Sequence, residues 1–219
     1  MSKRRIAGIV AGLFAVVVIA AGLLWVFPIL KVSNYEIIGI EQTPQETVVE
    51  ATGVDEGDNL VRVDATAAAS GVVELPWVRA ATVSRSWPST LRVEVTEREA
   101  LLFIEESDGS YLIDAKGTPF IIGVPPEGAI EVTGVSLDNP DDLSSVASVV
   151  DTLPESVRSQ VSRVDVPGSF DITFYLWDGR IVYWGADENN QNKAIAMETV
   201  LTREGQDWNI SNPTMVTVR

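Results

Sequence analysis

The chain has 219 residues with 31 acidic and 16 basic side chains, a formal net charge of −15, and neither histidine nor cysteine. Without those two residue types it cannot carry a disulfide framework, a Ser-His-Asp or Cys-His catalytic group, or a histidine-ligated zinc site. The acidic excess also argues against binding nucleic acid or anionic lipid through bulk charge.

An uncharged apolar stretch follows the basic tail of residues 1–5 and covers residues 6–30. As a helix it would be about 37 Å long, which exceeds the roughly 30 Å hydrocarbon core of a bilayer. A cleaved secretory signal is the alternative, but the apolar run continues past the small residues 20–22. We therefore expect an uncleaved single-pass transmembrane helix. The positive-inside rule places residues 1–5 in the cytoplasm and the remainder outside.

Residues 32–98 show the pattern strand, helix, helix, strand, strand. The first strand is predicted at 32–40 (VSNYEIIGI), which is rich in β-branched and aromatic residues. Thr43 and Glu46 have the spacing of a capping box at the start of the first helix. Asp64 is placed to cap the second helix.

The segment LPWVRAATVSRSWPSTLRVEVTER, residues 75–98, predicts a β-hairpin. Its second half alternates, so that Leu91, Val93 and Val95 share one face, and Pro88 marks the turn. We therefore expect a small sheet with one buried face covered by the two helices.

The remainder, residues 99–219, predicts a β-rich second domain with a mixed or antiparallel sheet and flanking helices, which makes the whole chain α+β. Turn signals separate the short candidate strands, including Asp178-Gly179, which is typical of a tight hairpin. The predicted strands are 101–105, 111–113, 120–122, 161–166, 172–177, 180–184 and 215–218, and the predicted helices are 140–152 and 189–204.

Several segments resemble the FtsQ/DivIB family of bacterial cell division proteins. VSNYEIIGI, GDNLVRVD and the hairpin segment resemble its POTRA domain, and YLIDAKGTPF, FYLWDGRIVYWG and NISNPTMVTVR resemble its C-terminal β domain. The resemblance implies a non-enzymatic scaffold of the divisome at the division septum. It implies coiled-coil partners of the FtsB and FtsL type, no cofactor and no metal, with the bilayer contacted only through residues 6–30.

The resemblance also implies that a partner adds a strand beside the last strand of the β domain, which corresponds here to Thr214, Met215, Val216, Thr217, Val218 and Arg219. Some family members continue beyond the position of Arg219, so we expect a smaller site or one shifted onto Tyr183 and Trp184 or the helix at 189–204. Tyr183 and Trp184 alternate along a strand, so at most one of them is buried in the core.

Two other functions remain open at this point. A POTRA domain can belong to a protein-export or outer-membrane assembly machine, although such proteins usually repeat the module. A membrane-anchored wall hydrolase could use paired carboxylates, for which Glu105, Glu106, Asp108 and Asp114 are the candidates.

Overall fold

The structure is a computed structural model that describes residues 12–19, 22, 30–168 and 171–218. The chain divides into two compact units, Met1–Arg98 and Glu99–Arg219. Residues 12–19 form a helix, α1, while most of the predicted span at 6–30 lies outside the described residues. No helix within the described residues combines the length and the apolar character needed to cross a bilayer.

The first unit confirms the predicted element order. It contains β1 (Asn34–Ile38), α2 (Gln45–Ala51), α3 (Ala65–Val73), β2 (Val78–Ser86) and β3 (Thr90–Glu97). The three strands form a sheet in the order β1-β3-β2, with β1 parallel and β2 antiparallel to β3.

The alternation predicted for the hairpin explains the core of this unit. Leu91, Val93 and Val95 are buried together with Val48 of α2 and Val72 of α3. The predicted cap of α3 is also confirmed, because the Asp64 carboxylate accepts hydrogen bonds from two amides of its first turn.

The capping box predicted at Thr43 and Glu46 is wrong. Helix α2 begins at Gln45 and its N-terminus has no side-chain cap. The Thr43 amide instead donates to Oε1 of Glu97 at 2.8 Å. The Glu97 carboxylate, at the end of β3, therefore accepts a hydrogen bond from a backbone amide that precedes α2. Glu97 and Thr43 are far apart in the sequence, so only the tertiary structure brings them together.

In its described residues, the second unit is a nine-stranded mixed sheet with three helices. Its strands are β4 (Ala100–Glu106), β5 (Gly109–Asp114), β6 (Pro119–Ile122), β7 (Ile130–Thr133), β8 (Val161–Asp165), β9 (Ile172–Leu176), β10 (Ile181–Gly185), β11 (Asp207–Asn209) and β12 (Thr217–Val218), and its helices are α4 (Pro140–Thr152), α5 (Glu155–Arg158) and α6 (Asn190–Leu201). The strand order is β12-β11-β10-β9-β8-β7-β4-β5-β6.

One face of this sheet carries the core. Along β9, Ile172, Phe174 and Leu176 are buried and join a cluster that includes the buried faces of α4 and α6. The alternate residues Thr173 and Tyr175 are only partly buried. In the strand order given above, β12 and β6 are the two edge strands of the sheet.

Candidate partner-binding edge

The last strand is held in the sheet by its pairing with β11. Trp208 lies opposite Val218 and Asn209 lies opposite Thr217, in antiparallel register. Strand β11 in turn runs parallel to β10. Trp208 is buried in the core, so it holds β11 in place and thereby positions β12 beside it.

The outer side of β12 forms an open edge in the described part of the sheet. Val218 is 48% exposed and Met215 is 69% exposed. An open strand presents backbone donors and acceptors that an added strand can pair with, while the neighbouring side chains give selectivity. The geometry of this edge therefore suits strand addition.

A turn leads into β12 and shapes a groove beside it. The Asn212 side-chain oxygen accepts from the amide and the hydroxyl of Thr214 at 3.1 and 2.7 Å, and the Met215 amide donates to the Asn212 carbonyl at 3.0 Å. The following segment borders α6 across a groove of about 580 Å³. Its lining includes Ile195, Ala196, Thr199, Val200, Pro213 and Val216.

Tyr183 and Trp184 lie on opposite faces of β10. The Tyr183 hydroxyl donates to Oδ1 of Asp171 at 2.8 Å. This hydrogen bond, together with burial, raises the pKa of Tyr183 above its usual value. Tyr183 is partly buried and lies on the sheet face opposite the core.

Trp184, in contrast, is fully buried, and its ring meets Phe174 edge to face at 5.5 Å between centroids. The expectation that Trp184 contributes to a shifted contact surface is therefore corrected, because its side chain is enclosed by the domain's own core. Which member of the pair faces inward depends on the side on which α4 and α6 pack, which strand alternation alone does not specify.

Lys193 is a structural residue of this region that sequence reasoning did not identify. It is 1% exposed, and its Nζ donates to the Ala186 carbonyl at 2.8 Å. Burial lowers the pKa of Lys193 from its ordinary value, against the opposing charges of Glu188 and Asp187. The sequence did not predict this burial, because lysine is rarely buried even in a helix with apolar neighbours.

The predicted site residues thus divide into three groups. Thr214, Met215, Val216, Thr217 and Val218 lie together in the segment that forms the edge and the groove. Tyr183 is two strands away, and Trp184 is inside the core. Arg219 lies outside the described residues.

The carboxylates considered for wall hydrolysis have local structural contacts. Glu105 accepts from the Ser110 hydroxyl and Asp108 accepts from the Tyr111 hydroxyl within one hairpin. Asp114 accepts from the amides of Lys116 and Thr118 in the next turn. Within the described residues, no group of three or more acidic side chains is arranged to hold a metal ion.

Two family profiles match the chain in the order of its units. The profile described as "POTRA domain, FtsQ-type" matches residues 30–98, and that of "Cell division protein FtsQ/DivIB, C-terminal" matches residues 103–213. The two matches define the class, which is a bacterial cell division protein with a POTRA domain.

Two curated relatives agree with this class, and one solved structure is also similar to part of the chain. "Cell division protein FtsQ" from Corynebacterium glutamicum is 47% identical over 222 residues, which cover 100% of both chains. The protein of the same name from Mycolicibacterium smegmatis is 36% identical, over 95% of this chain and 63% of that one. The major extracytoplasmic domain of DivIB from Geobacillus stearothermophilus, in its trans isomer, is 15% identical with a TM-score of 0.38, over 50% of this chain and 98% of that one. The two profile matches and the Corynebacterium glutamicum relative show that the chain belongs to the FtsQ/DivIB family.

Proposed function

We propose that this chain is a membrane-anchored, non-enzymatic scaffold of the divisome that binds coiled-coil partners of the FtsB and FtsL type by strand addition beside β12. The observation that carries the proposal is the open edge of β12, with the exposed Met215 and Val218 next to a groove along α6. A partner strand would pair with the backbone, and its side chains would enter the groove.

The anchoring part of the proposal is supported by residues 12–19. This helical segment, GLFAVVVI, is apolar on every side, and each of its residues is exposed. A helix that is hydrophobic all round is stable when it is surrounded by protein or by lipid. By the positive-inside rule, the basic tail before it supports a cytoplasmic N-terminus, with residues 31–219 on the outer side.

Anchoring explains how a scaffold without chemistry can act. Two proteins confined to one membrane meet at an effective concentration far above that of free molecules, so a modest edge interaction can hold them together. Strand addition then fixes the orientation of the partner, because backbone pairing has a defined direction and register.

Membrane topology can be tested with single cysteines, since the chain has none of its own. In intact cells, a membrane-impermeant maleimide should label full-length chain carrying Glu56→Cys, in an exposed loop, and should not label Ser2→Cys. Labelling of both positions only after lysis would contradict an external location of residues 31–219.

Partner binding can be tested with the full chain in lipid nanodiscs, titrated with the purified outer segments of FtsB-type and FtsL-type proteins. We expect saturable binding that Met215→Glu and Val218→Glu weaken at least tenfold. The matched control is Val73→Glu, which introduces the same charge at an exposed valine of α3. Equal affinity of all variants, with folding verified by circular dichroism, would exclude this edge as the site.

A further inference from the structure

The turn between β2 and β3 carries an exposed aromatic ring. Residues 86–91, SWPSTL, which we call the tip, contain no charged side chain, although the chain has a net charge of −15. Trp87 is 57% exposed. Turns in water are built mostly from small or polar residues, whereas tryptophan is enriched where one end of the side chain is dry and the other is wet. The tip is therefore a candidate contact surface.

The basic side chains on either side of the tip are engaged within the first unit. The Arg85 guanidinium donates a hydrogen bond to the Val63 carbonyl. Arg92 forms an ion pair with Glu36 at 2.8 Å. The tip therefore presents the ring of Trp87, rather than a free basic side chain, to whatever it contacts.

The tip lies beside the point where the chain enters the first unit. Strands β1 and β3 are parallel, and Asn34 at the start of β1 lies opposite Thr90, the first residue of β3. The amides of Ser33 and Asn34 both donate to the Ser89 carbonyl, at 2.9 and 3.3 Å. Trp87 is two residues from Ser89, so it belongs to the end of the sheet at which β1 begins.

The folded unit begins where the apolar stretch of residues 6–30 ends. Leu30 is partly buried against the core of the first unit, and its carbonyl accepts from the Leu60 amide at 2.8 Å. Val32 is fully buried. The end of the sheet that carries the tip is therefore joined directly to the proposed transmembrane segment.

The apolar stretch is long enough to bring this end of the sheet to the bilayer surface. About 20 helical residues cross the hydrocarbon core, whereas the stretch has 25. The remaining residues, at about 1.5 Å each, cover roughly 7 Å, which is about the thickness of one headgroup layer. Leu30 then lies at the outer surface of the bilayer, which brings the tip close to the headgroups.

We propose that Trp87 inserts into the headgroup layer of the membrane and holds the POTRA domain in a fixed orientation on the bilayer. The ring of tryptophan suits the boundary between acyl chains and headgroups, where this residue is enriched in membrane proteins. A single covalent connection at residue 30 lets the domain rotate, whereas a second contact at the tip restricts that rotation. The inference rests on the anchor in the proposed function and adds a second membrane contact to it.

The contact does not depend on anionic lipid. Asp55, Glu56 and Asp58 lie in the connector that borders the same end of the unit, where the Asp58 carbonyl accepts from the Val32 amide at 2.9 Å. These carboxylates repel negative headgroups. Insertion of an uncharged ring is driven instead by the burial of its apolar surface. We therefore expect insertion into bilayers of phosphatidylcholine alone.

Fluorine NMR of the full chain measures the position of the ring. Biosynthetic fluorotryptophan labels all six tryptophans, and phenylalanine substitutions assign the signals. The chain is placed in phosphatidylcholine nanodiscs that contain a lipid with a nitroxide on its headgroup, which broadens nearby signals. We expect the Trp87 signal to be broadened at least threefold more than that of Trp77. Trp77 is the matched control, because it precedes the other end of β2, roughly 30 Å away.

Trp25 separates failure of this inference from failure of the anchor. It lies in the predicted span, so the nitroxide should broaden its signal whether or not Trp87 inserts. A broadened Trp25 signal, with Trp87 as little affected as Trp77, would overturn the inference and leave the anchor intact. A Trp25 signal without broadening would overturn both, since the inference requires the anchor.

Photo-cross-linking in cells identifies what the tip contacts. The full chain would carry p-benzoylphenylalanine, which is also aromatic and apolar, in place of Trp87. The control carries it in place of Val73, a residue 41% exposed at the end of α3 that leads to the far end of β2. We expect mass spectrometry to find lipid adducts in at least fivefold excess at position 87. A protein adduct at 87, or equal lipid adducts at the two positions, would overturn the proposal, and the former would assign the tip to a protein partner.

Discussion

Nζ of Lys193 lies 5.7 Å from the centre of the Trp184 ring, inside the core of the second unit. A buried ammonium with one hydrogen bond and an aromatic ring recovers only part of its lost hydration. We therefore expect Lys193→Met, which keeps the length of the side chain, to leave the free energy of unfolding unchanged or to raise it by up to about 2 kcal/mol. Lys193→Ala should lower it by about 2–4 kcal/mol, because it leaves a cavity. Urea unfolding of the three proteins measures both effects.

The same lysine predicts a pH dependence. Burial lowers the pKa of Lys193 in the folded state below its ordinary value of 10.5. The unfolded chain then binds more protons in the interval just below 10.5, so stability rises with pH there. The wild type should gain stability relative to Lys193→Met between neutral pH and pH 10.5. A constant difference across that interval would contradict burial of the charged amine.

Glu97 predicts an acid sensitivity of the first unit. Burial alone would raise the pKa of Glu97, but hydrogen bonds from Thr43, Gln42 and Glu41 lower it below the ordinary value of 4.5. Their amides lie 2.8, 2.9 and 3.0 Å from the carboxylate. This contribution is present above pH 4.5 and is lost as pH falls through the lower folded pKa.

At neutral pH, Glu97→Gln should cost about 1 kcal/mol, a low value for hydrogen bonds to a charge because the site is partly exposed to solvent. The loss should disappear in acid. Glu94→Gln on the same strand, whose carboxylate is 3.9 Å from Arg92, is the control and should change stability by only a few tenths of a kcal/mol. Equal effects of the two substitutions, measured by thermal unfolding, would exclude the special role of Glu97.

Gly205 predicts a link between backbone packing and the partner edge. Its φ is +152°, and an added Cβ would come within 2.5 Å of Val218 and 2.8 Å of Trp208. Gly205→Ala should displace β12, lower stability by about 1–3 kcal/mol and weaken partner binding. Gly128→Ala, at φ +92° with open space around it, should show only the backbone strain of about 1 kcal/mol and normal binding. Partner binding that is unchanged in Gly205→Ala would show that the β12 edge does not depend on the packing around Gly205.

Elements with their own local pattern were predictable from sequence. In the β2–β3 hairpin, β3 alternates between buried and more exposed residues and follows a proline turn. Helix α4 was predicted at the residues where it forms, 140–152. Strands β7 and β11 were missed because they have four and three residues and depend on pairing with β8 and β10. Short strands of this kind form through tertiary contacts, which local propensity does not report.

The candidate site was only partly predictable for the same reason. Alternation put Tyr183 and Trp184 on opposite faces, but the choice of the inner face depends on helix packing. The capping box at Thr43 failed because Glu97, more than fifty positions away in the chain, supplies a better acceptor. A local motif gives way when a distant charged group reaches the same amides.

The most direct test of strand addition is amide hydrogen exchange of the full chain in nanodiscs, with and without the outer segments of its FtsB-type and FtsL-type partners. Strand addition predicts that residues 214–218 gain protection at least tenfold when the partner binds, because an open edge becomes an internal strand. Residues 119–124 of the opposite edge serve as the internal reference. Binding that leaves 214–218 unprotected while protecting another surface would contradict the central claim.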